Sequence, residues 1–397
     1  EFNANGSFKS HNVEDDKKQE HEWFSGVRLK RNFGIHGIGL GLEYGNKERN
    51  DEKTTLKYDA AGNLTSTTAG GRGDNFDIKE ERWVAYALNE IRLLHNHIVT
   101  PGLRMQRLSR EAVDGIGEKF NSSIETISPS LHYLWQVDSR NNIRASITET
   151  VKPPKFDDLS PVTESKSGTL SDPDKTGNPD LDPEKALGFE LGWDHFLPRG
   201  GGVLGVNFFQ RNIEDKIEGR IELENGRYIS RPDNVGDAKV WGWELDARPR
   251  MDLIGLPELM LRFNYTRLYS ELKDTETGLN TRIKDQPPYV YNVGFDWQLP
   301  RWDAAFGLNY NYTPKFTKNP VELTKLDPEA EQKLLDIYLL KRLNKDYALR
   351  VTASNLLNMS KDKDKYEYNS TTGNVTKYTQ ESETAGPTLF FALEGKF

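Results

Sequence analysis

The chain has 397 residues, a formal net charge of −8 and no cysteine, and 35% of its residues are hydrophobic. The acidic balance disfavours nucleic-acid binding, and the missing thiols exclude disulfides and cysteine-ligated metals. The 18 Phe, 16 Tyr and 8 Trp exclude a disordered chain, because such chains are poor in aromatic residues. No run approaches the roughly 18 apolar residues of a membrane helix, so only strands could cross a membrane.

The chain opens on EFNANGSFK, residues 1–9, which alternates polar and apolar residues from its first position. Alternation of this kind predicts a strand. The first residue is Glu1, and no signal peptide precedes the alternation. We therefore expect the sequence to be the C-terminal part of a longer protein.

Four stretches in the middle of the chain alternate more clearly. They are KALGFELGWDHFL (185–197), VWGWELDARPRM (240–251), PYVYNVGFDWQL (288–299) and AAFGLNYNYT (304–313). In each stretch, apolar and aromatic residues occupy one face, and Gly, Asn or charged residues occupy the other. A membrane barrel needs such strands, with a lipid-facing apolar wall, aromatic girdles and a polar lumen. A soluble β-sandwich also alternates, so the connections have to decide between the two.

The connections between about 16 candidate strands alternate strictly between short and long, as a membrane barrel requires. The short ones are expected near 34–36, 94–96, 138–141, 198–201, 252–256, 300–303 and 344–346. The long ones are expected near 10–20, 49–77, 114–120, 155–184, 220–234, 275–285, 318–331 and 359–386. The prediction is an all-β, transmembrane, antiparallel up-and-down β-barrel that forms a single domain over residues 1–397. Because the last connection is long, the C-terminus is expected on the short-turn side, which is the periplasm in a bacterial outer membrane.

The stretch ASITETVKPPKFDDLSPV…GNPDLDPEKALGFELGWDHF resembles the TonB-dependent outer-membrane receptors. In that family a strand ends near paired prolines, and a long extracellular loop leads to an Asn-Pro-x-Leu-x-Pro-Glu segment and a strand of the E-x-G type. The matching residues are Pro153, Pro154, Asn178, Pro179, Leu181, Pro183, Glu184, Glu190 and Gly192. NVGDAKVWGWELDA (234–247), ASNLLN (353–358) and the terminal Phe397 also fit the family, and residues 82–108 fit it more loosely.

The resemblance implies a barrel of about 22 strands with a plug domain ahead of it, of which this chain supplies about 16 strands and no plug. It implies TonB as a partner through the absent plug, a lipid bilayer with lipopolysaccharide around the wall, and a small-molecule chelate as the ligand. The expected function is TonB-dependent uptake of a scarce ligand, first of all a ferric siderophore. An oligosaccharide, cobalamin or a peptide stays open as the substrate. Two alternatives are a passive porin of about 16 strands and a soluble all-β binding protein.

Candidate ligand contacts lie on the lumen face near the rim and on the long connections. Lys152 and Arg211 are in phase with the lumen, and Arg227, Tyr228 and Arg231 form a cationic and aromatic group in the 220–234 connection. Cations and aromatic rings suit an anionic or catecholate iron chelate through charge-assisted hydrogen bonds and cation–π contacts. The alternative for each residue is a solvated loop position or a contact to the absent plug.

The terminal strand GPTLFFALEGKF (386–397) resembles the signal that the outer-membrane assembly machinery reads. An edge strand with an apolar row can add to another sheet by β-augmentation. The expected outward row is Leu389, Phe391, Leu393 and Phe397. The alternative is an ordinary closing strand.

Several weaker patterns carry no function. The acidic residues of 155–184 do not have EF-hand spacing, and His95 and His97 lack a third ligand, so no metal site and no cofactor are predicted. The Arg72-Gly73-Asp74 tripeptide in a Gly-rich stretch is expected to be a turn. No nucleophile, phosphate loop or paired carboxylates indicate catalysis, so the chain is not expected to be an enzyme.

Overall fold

The computed structural model describes residues 10–69, 75–115, 117–159, 163, 166, 168–170, 173–274, 278, 280–317, 325–326, 328–368 and 374–395. Its main feature is one sheet in which each long strand runs antiparallel to the next long strand along the chain. Fifteen long strands form it: β1 Ser10–Phe33, β2 His36–Asp59, β3 Phe76–Leu93, β4 His97–Asp114, β5 Lys119–Gln136, β6 Asn141–Lys152, β7 Glu184–Phe196, β8 Gly202–Glu224, β9 Arg227–Met251, β10 Leu256–Asp274, β11 Tyr289–Leu299, β12 Ala304–Thr313, β13 Gln332–Arg342, β14 Tyr347–Ser354 and β15 Thr388–Gly395.

This order of pairing is the up-and-down meander that the sequence predicts. In the part of the chain that the structure describes, β1 pairs with β2 alone and β15 pairs with β14 alone. The strand expected in residues 1–9 lies outside the described residues. The remaining fifteen expected strands all form.

The seven expected short connections are confirmed as tight turns or single 3-10 turns. Gly255 shows how one of them closes. Its φ of 77° lies in the left-handed region that glycine adopts without strain, and its N–H donates to the Asp252 carbonyl at 3.1 Å. All seven turns therefore lie at one end of the sheet, and the long connections lie at the other.

Two of the expected long connections are wrong, and a third, 49–77, is wrong over residues 49–59, which belong to β2. Residues 10–20 belong to β1, and 220–234 belongs to β8 and β9 except for the turn residues Asn225 and Gly226. Residues 10–20 are polar on both faces, so no apolar alternation marks them as a strand. In 220–234, Ile221 and Leu223 do alternate with charged residues, and Asn225-Gly226 is a hairpin turn signal that the prediction missed. The ladder hydrogen bonds to β2 and within the β8–β9 hairpin nevertheless continue through them.

Other long connections contain strands of their own. Leu64–Ala69, Asp174–Lys175 and Asn280–Thr281 add to the main sheet. A second, five-stranded sheet gathers parts of the last two long connections: Phe316–Thr317, Lys325–Leu326, Pro328–Glu329, Ser360–Tyr368 and Val375–Thr384. Backbone pairing therefore orders these segments of the connections.

The two faces of the main sheet differ in polarity, as the alternation requires. One row of directly opposed residues crosses β11 to β15 and is wholly apolar: Trp297, Phe306, Leu339, Val351 and Phe391. The next row, made of one chain neighbour of each of these residues, faces the other way: Asp296, Gly307, Tyr338, Thr352 and Phe390. The apolar face stays exposed, with 41% of Trp297 and 61% of Phe391 accessible, which suits contact with lipid.

The β1–β2 and β8–β9 hairpins are the longest parts of the sheet. Each strand of the β1–β2 hairpin has 24 residues, whereas β14 and β15 have 8 each. Beyond the apolar band its cross-strand partners carry opposite charges: Asp16 and Lys53, Lys17 and Glu52, Lys18 and Asp51, Glu20 and Arg49, and Glu22 and Lys47. Opposite charges at facing positions favour this register over a shifted one.

Little of the described chain is helical or buried. The α-helix Phe156–Leu159 has 4 residues, and no helix in the described ranges is long and apolar enough to cross a membrane. One small core joins β9 and β10 near the long-connection end through Val235, Ala238 and Leu272. The chain therefore keeps its shape mainly through strand pairing.

Candidate ligand-binding site

Lys152 and Arg211 lie on the polar face, as the sequence predicts. Lys152 is the last residue of β6, and its Nζ lies 2.9 Å from Glu184 Oε1 on β7. Arg211 on β8 lies opposite Gly188, and its Nη2 is 3.8 Å from Glu190 Oε1. Their side chains are 62% and 58% exposed, so each keeps donors that face solvent.

Glu184 is the centre of this end of the polar face. Its Oε1 accepts hydrogen bonds from Lys152 Nζ at 2.9 Å, from Lys216 Nζ at 3.0 Å and from the Ile217 N–H at 3.2 Å. The Glu184 side chain is 8% exposed and that of Lys216 is 12% exposed. Two ammonium groups share one carboxylate, so the cluster carries a net positive charge. This motif glutamate thus joins β6, β7 and β8.

Arg227 lies beside the tip of the β8–β9 hairpin and is held by Asp174. Its Nε and Nη2 donate to the two carboxylate oxygens at 2.6 and 2.7 Å, and Nη2 also donates to the Lys166 carbonyl at 2.9 Å. Arg227 above all, together with the Lys166 N–H, lowers the pKa of the Asp174 carboxyl from 3.8 to about 2. The pair fastens the 163–184 connection to the hairpin, where Asp174 also pairs with Ile229 in parallel.

Tyr228 and Arg231 complete the predicted cationic group. The Tyr228 N–H donates to the Gly168 carbonyl at 2.9 Å, which adds to the same attachment. Arg231 Nη2 lies 2.7 Å from Glu224 Oε1, and the two side chains are 32% and 34% exposed. All four predicted cations therefore have a carboxylate partner. Lys152 and Arg211 remain the most accessible of them.

Asn234 and Arg110 both hold the connection between β6 and β7. The sequence prediction did not name either as a site residue. Asn234 Oδ1 accepts a hydrogen bond from the Asp182 N–H at 2.9 Å. Asn234 Nδ2 donates to the carbonyls of Asp182 and Asp215 at 3.0 and 2.8 Å. Arg110 donates to the Pro154 carbonyl at 2.6 Å and pairs with Glu80 at 2.7 Å. Asn234 opens the NVGDAKVWGWELDA stretch, but no local signal indicates these contacts of Asn234 or Arg110, because the partners come from distant parts of the chain.

A second polar network lies on the same face nearer the short turns. Asp296 accepts from Tyr338 Oη at 2.6 Å and pairs with Arg262 at 3.1 Å. The Arg350 guanidinium lies 5.5 Å from the centre of the Tyr338 ring and donates to Glu394 at 2.6 Å. Five strands, β10, β11 and β13 to β15, contribute one residue each. The polar face thus offers ion-paired groups over much of its length.

The terminal strand has the expected phase. Leu389, Phe391 and Leu393 lie opposite Ala353, Val351 and Leu349 on the apolar face, and they are 58%, 61% and 65% exposed. Phe397 lies outside the described residues. The targeting role of this strand stays a prediction.

The weaker candidates show no ligand chemistry. Within the described ranges, no group of three or more His, Asp or Glu residues could hold a metal ion. His97 hydrogen-bonds Tyr133 at 2.6 Å, and its ring stacks on Trp135. The Arg72-Gly73-Asp74 tripeptide lies outside the described residues.

The chain matches a known family over most of its length. The family described as TonB dependent receptor-like, beta-barrel, matches residues 2–356. A curated relative is the "Iron-regulated outer membrane virulence protein" of Vibrio cholerae serotype O1, which is 21% identical over 285 residues, or 70% of this chain and 39% of that protein. The "Ferrienterobactin receptor" of Escherichia coli K12 is 23% identical over 311 residues, or 73% of this chain and 38% of that protein.

Solved structures share the fold. The siderophore receptor PiuA from Acinetobacter baumannii aligns with a TM-score of 0.69 at 15% identity, covering 96% of this chain and 56% of that one. The unliganded ferric citrate transporter FecA aligns with a TM-score of 0.67 at 15% identity, covering 98% and 56%. The chain spans less than two thirds of the length of these relatives.

Proposed function

Because the chain belongs to the TonB-dependent receptor family through its β-barrel domain, we propose that it forms the wall of an active uptake system in a bacterial outer membrane. The family match over residues 2–356 carries this proposal, and the two-faced sheet supports it. The apolar face contacts lipid and the polar face lines the path of the ligand. Energy reaches the ligand through TonB and a plug domain, and the chain performs no catalysis.

The proposed substrate is a ferric siderophore. Two curated relatives support it by their printed descriptions, one as iron-regulated and one as a ferrienterobactin receptor. The net positive cluster of Lys152, Lys216 and Glu184 supports an anionic ligand at the long-connection end, which is placed outside the cell in this proposal. Lys152 and Arg211 are the proposed contacts, since both keep exposed donors on the polar face.

Arg227, Tyr228 and Arg231 are proposed as supporting residues at the rim. The Asp174 carboxylate accepts two donor contacts of Arg227 and the Lys166 carbonyl accepts a third, so a ligand has to compete with these contacts. The terminal strand, with Leu389, Phe391, Leu393 and Phe397, is proposed as the segment that the assembly machinery recognises, with the C-terminus in the periplasm.

Uptake of iron-55 chelates by cells with and without the intact gene tests the function. We expect uptake of one catecholate or carboxylate chelate to require the gene and to stop when TonB is deleted. The double variant Lys152→Gln/Arg211→Gln should lower uptake about tenfold through loss of two charge-assisted contacts. Lys119→Gln, at an exposed cation that pairs with Glu111 at 3.2 Å, is the control. Gene-dependent uptake that persists without TonB would instead indicate a passive pore.

A further inference from the structure

An aromatic belt crosses the apolar face of β9 to β12 near the long-connection end. Five ring contacts form a continuous chain from Trp243 to Tyr310, and the Trp241–Tyr269 pair lies beside that chain; ring centres are 5.0 to 6.2 Å apart within each pair. Its members are Trp241, Trp243, Tyr265, Tyr269, Tyr289, Tyr291, Tyr310 and Tyr312. Amphipathic rings of this kind gather at the level of lipid headgroups.

Two cations flank a stacked pair within this belt. The Trp241 and Tyr269 rings lie 5.7 Å apart with an interplanar angle of 13°. Lys239 Nζ lies 5.4 Å from the Trp241 ring, and the Arg267 guanidinium lies 5.0 Å from the Tyr269 ring and 5.8 Å from the Tyr289 ring. The two cations occupy the same face of neighbouring strands, because Lys239, Trp241, Tyr269 and Arg267 all lie in phase with the apolar face.

Neither cation has a carboxylate partner. Glu271 lies opposite Lys239 in the register of β9 and β10, yet over the described stretches no ion pair within 4 Å involves Lys239 or Arg267. This differs from the polar face, where Lys152, Arg211, Arg227 and Arg231 each have one. It also differs from the outward-facing Arg107, which lies 3.7 Å from Glu125.

A lipid-facing cation without a counter-charge is costly unless it reaches the interface, where its charge meets headgroup phosphates. Arg presents a planar fork that matches a phosphate, and Lys adds a point charge. We propose that Lys239 and Arg267 bind phosphate groups of lipid headgroups in the leaflet at the long-connection end, each at its own position, since the register places the two cations four residues apart along the strands. The stacked Trp241–Tyr269 pair holds the two cations in place through cation–π contacts. The inference rests on the outward assignment of the apolar face and does not depend on the substrate.

The test uses the full protein, purified from outer membranes in detergent, and bis-phosphorylated lipid A as the probe. Lys239→Gln/Arg267→Gln is expected to weaken binding about 30-fold, or about fivefold for each cation. Dephosphorylated lipid A should bind the unaltered protein and the double variant equally weakly. Inorganic phosphate at millimolar concentration should neither bind nor compete, because a free anion lacks the acyl chains that bring the headgroup to the belt.

Arg107→Gln is the matched control, since Arg107 also faces outward but is paired with Glu125 and is 62% exposed. Its binding of bis-phosphorylated lipid A should stay within about twofold of the unaltered protein. Heat-modifiable migration in gels checks folding, and the single variants replace the double variant if it does not fold. Unchanged binding in the folded variants overturns the proposal. The proposal is also overturned if the unaltered protein binds dephosphorylated lipid A as tightly as bis-phosphorylated lipid A, or if inorganic phosphate competes.

Discussion

Tyr338 on β13 lies flat across Gly307 on β12 and reaches Asp296 on β11. A Cβ atom on Gly307 would come within 2.2 Å of Tyr338 Cε1. The same arrangement occurs near the opposite edge of the sheet, on β1 to β3. There a Cβ atom on Gly41 would come within 2.1 Å of the Tyr86 ring, and Tyr86 Oη accepts a hydrogen bond from Arg28 Nε at 2.8 Å. In both places a glycine on the middle strand leaves room for the tyrosine ring. The tyrosine hydroxyl therefore reaches a residue on the strand beyond.

Gly307→Ala tests this arrangement. The added methyl group should displace the Tyr338 ring and break its hydrogen bond to Asp296, which lowers the free energy of unfolding by about 1–3 kcal/mol. Urea unfolding in detergent, followed by tryptophan fluorescence, measures the change. Gly45→Ala is the control, because its nearest neighbour atom, Arg82 Nε, is 3.8 Å away. Equal stability of the two variants would contradict the structural role of Gly307.

Glu184→Gln should destabilise the end of the polar face. It leaves the ammonium group of Lys216, which is 12% exposed, without a charged partner, and we expect a loss of about 3 kcal/mol in the free energy of unfolding. Glu190→Gln is the matched change on the same strand. Glu190 is 45% exposed and 3.8 Å from Arg211, so its loss should cost about 0–1 kcal/mol. A larger loss in the free energy of unfolding for Glu190→Gln than for Glu184→Gln would contradict the role of Glu184 as the more strongly stabilising carboxylate.

The attachment of the 163–184 connection should depend on acid. The folded-state pKa of Asp174 is lowered from 3.8 to about 2 by Arg227, so the pair stabilises the attachment fully above about pH 3.8. That contribution is lost as the pH falls to about 2. The Tyr228 amide, which donates to the Gly168 carbonyl at 2.9 Å, reports it through its protection factor in hydrogen exchange.

Asp174→Asn should abolish that acid transition and leave Tyr228 weakly protected at every pH. Asp138, whose pKa is also lowered by hydrogen bonds from the Arg140 N–H and Asn141, lies in a turn at the opposite end of the sheet. Protonation of Asp138 can change the global stability in acid, but it does not change the local protection of the Tyr228 amide. Protection that stays constant from pH 5 to 2 in the unaltered protein would refute the prediction.

A pair of substitutions on β15 tests which face meets lipid. Phe391→Lys places a charge on the apolar row and should lower the free energy of unfolding in a bilayer by about 2 kcal/mol or more. Phe390→Lys places the same charge on the polar face, where Thr352 is its neighbour, and should cost little. Unfolding of the protein in phospholipid vesicles compares them. A greater loss for Phe390→Lys would mean that the faces are reversed.

The sequence predicts the membrane-phased strands well because two-faced alternation is a local property. KALGFELGWDHFL, PYVYNVGFDWQL and AAFGLNYNYT all form strands close to their predicted limits. It fails at 10–20, where the polar strand leaves the apolar band and pairing with β2 keeps it extended. It also fails at 220–234, where the local signals of a hairpin, the alternation at 220–224 and the Asn225-Gly226 turn, were missed. Lys152 and Arg211 could be assigned to the polar face by phase, but their partners Glu184 and Glu190 are set by the register between β6, β7 and β8.

The height of the β1–β2 hairpin has a further consequence. At about 3.4 Å per residue, 24 residues span roughly 80 Å along the strand, whereas a tilted strand needs about 10 residues to cross the hydrocarbon layer. If the long-connection end lies outside the cell, as proposed, more than half of the hairpin extends beyond the bilayer as a charged projection. Together with the β8–β9 hairpin, whose strands are as long, it is then a part of the molecule that an antibody or a phage tail fibre contacts ahead of the cell surface.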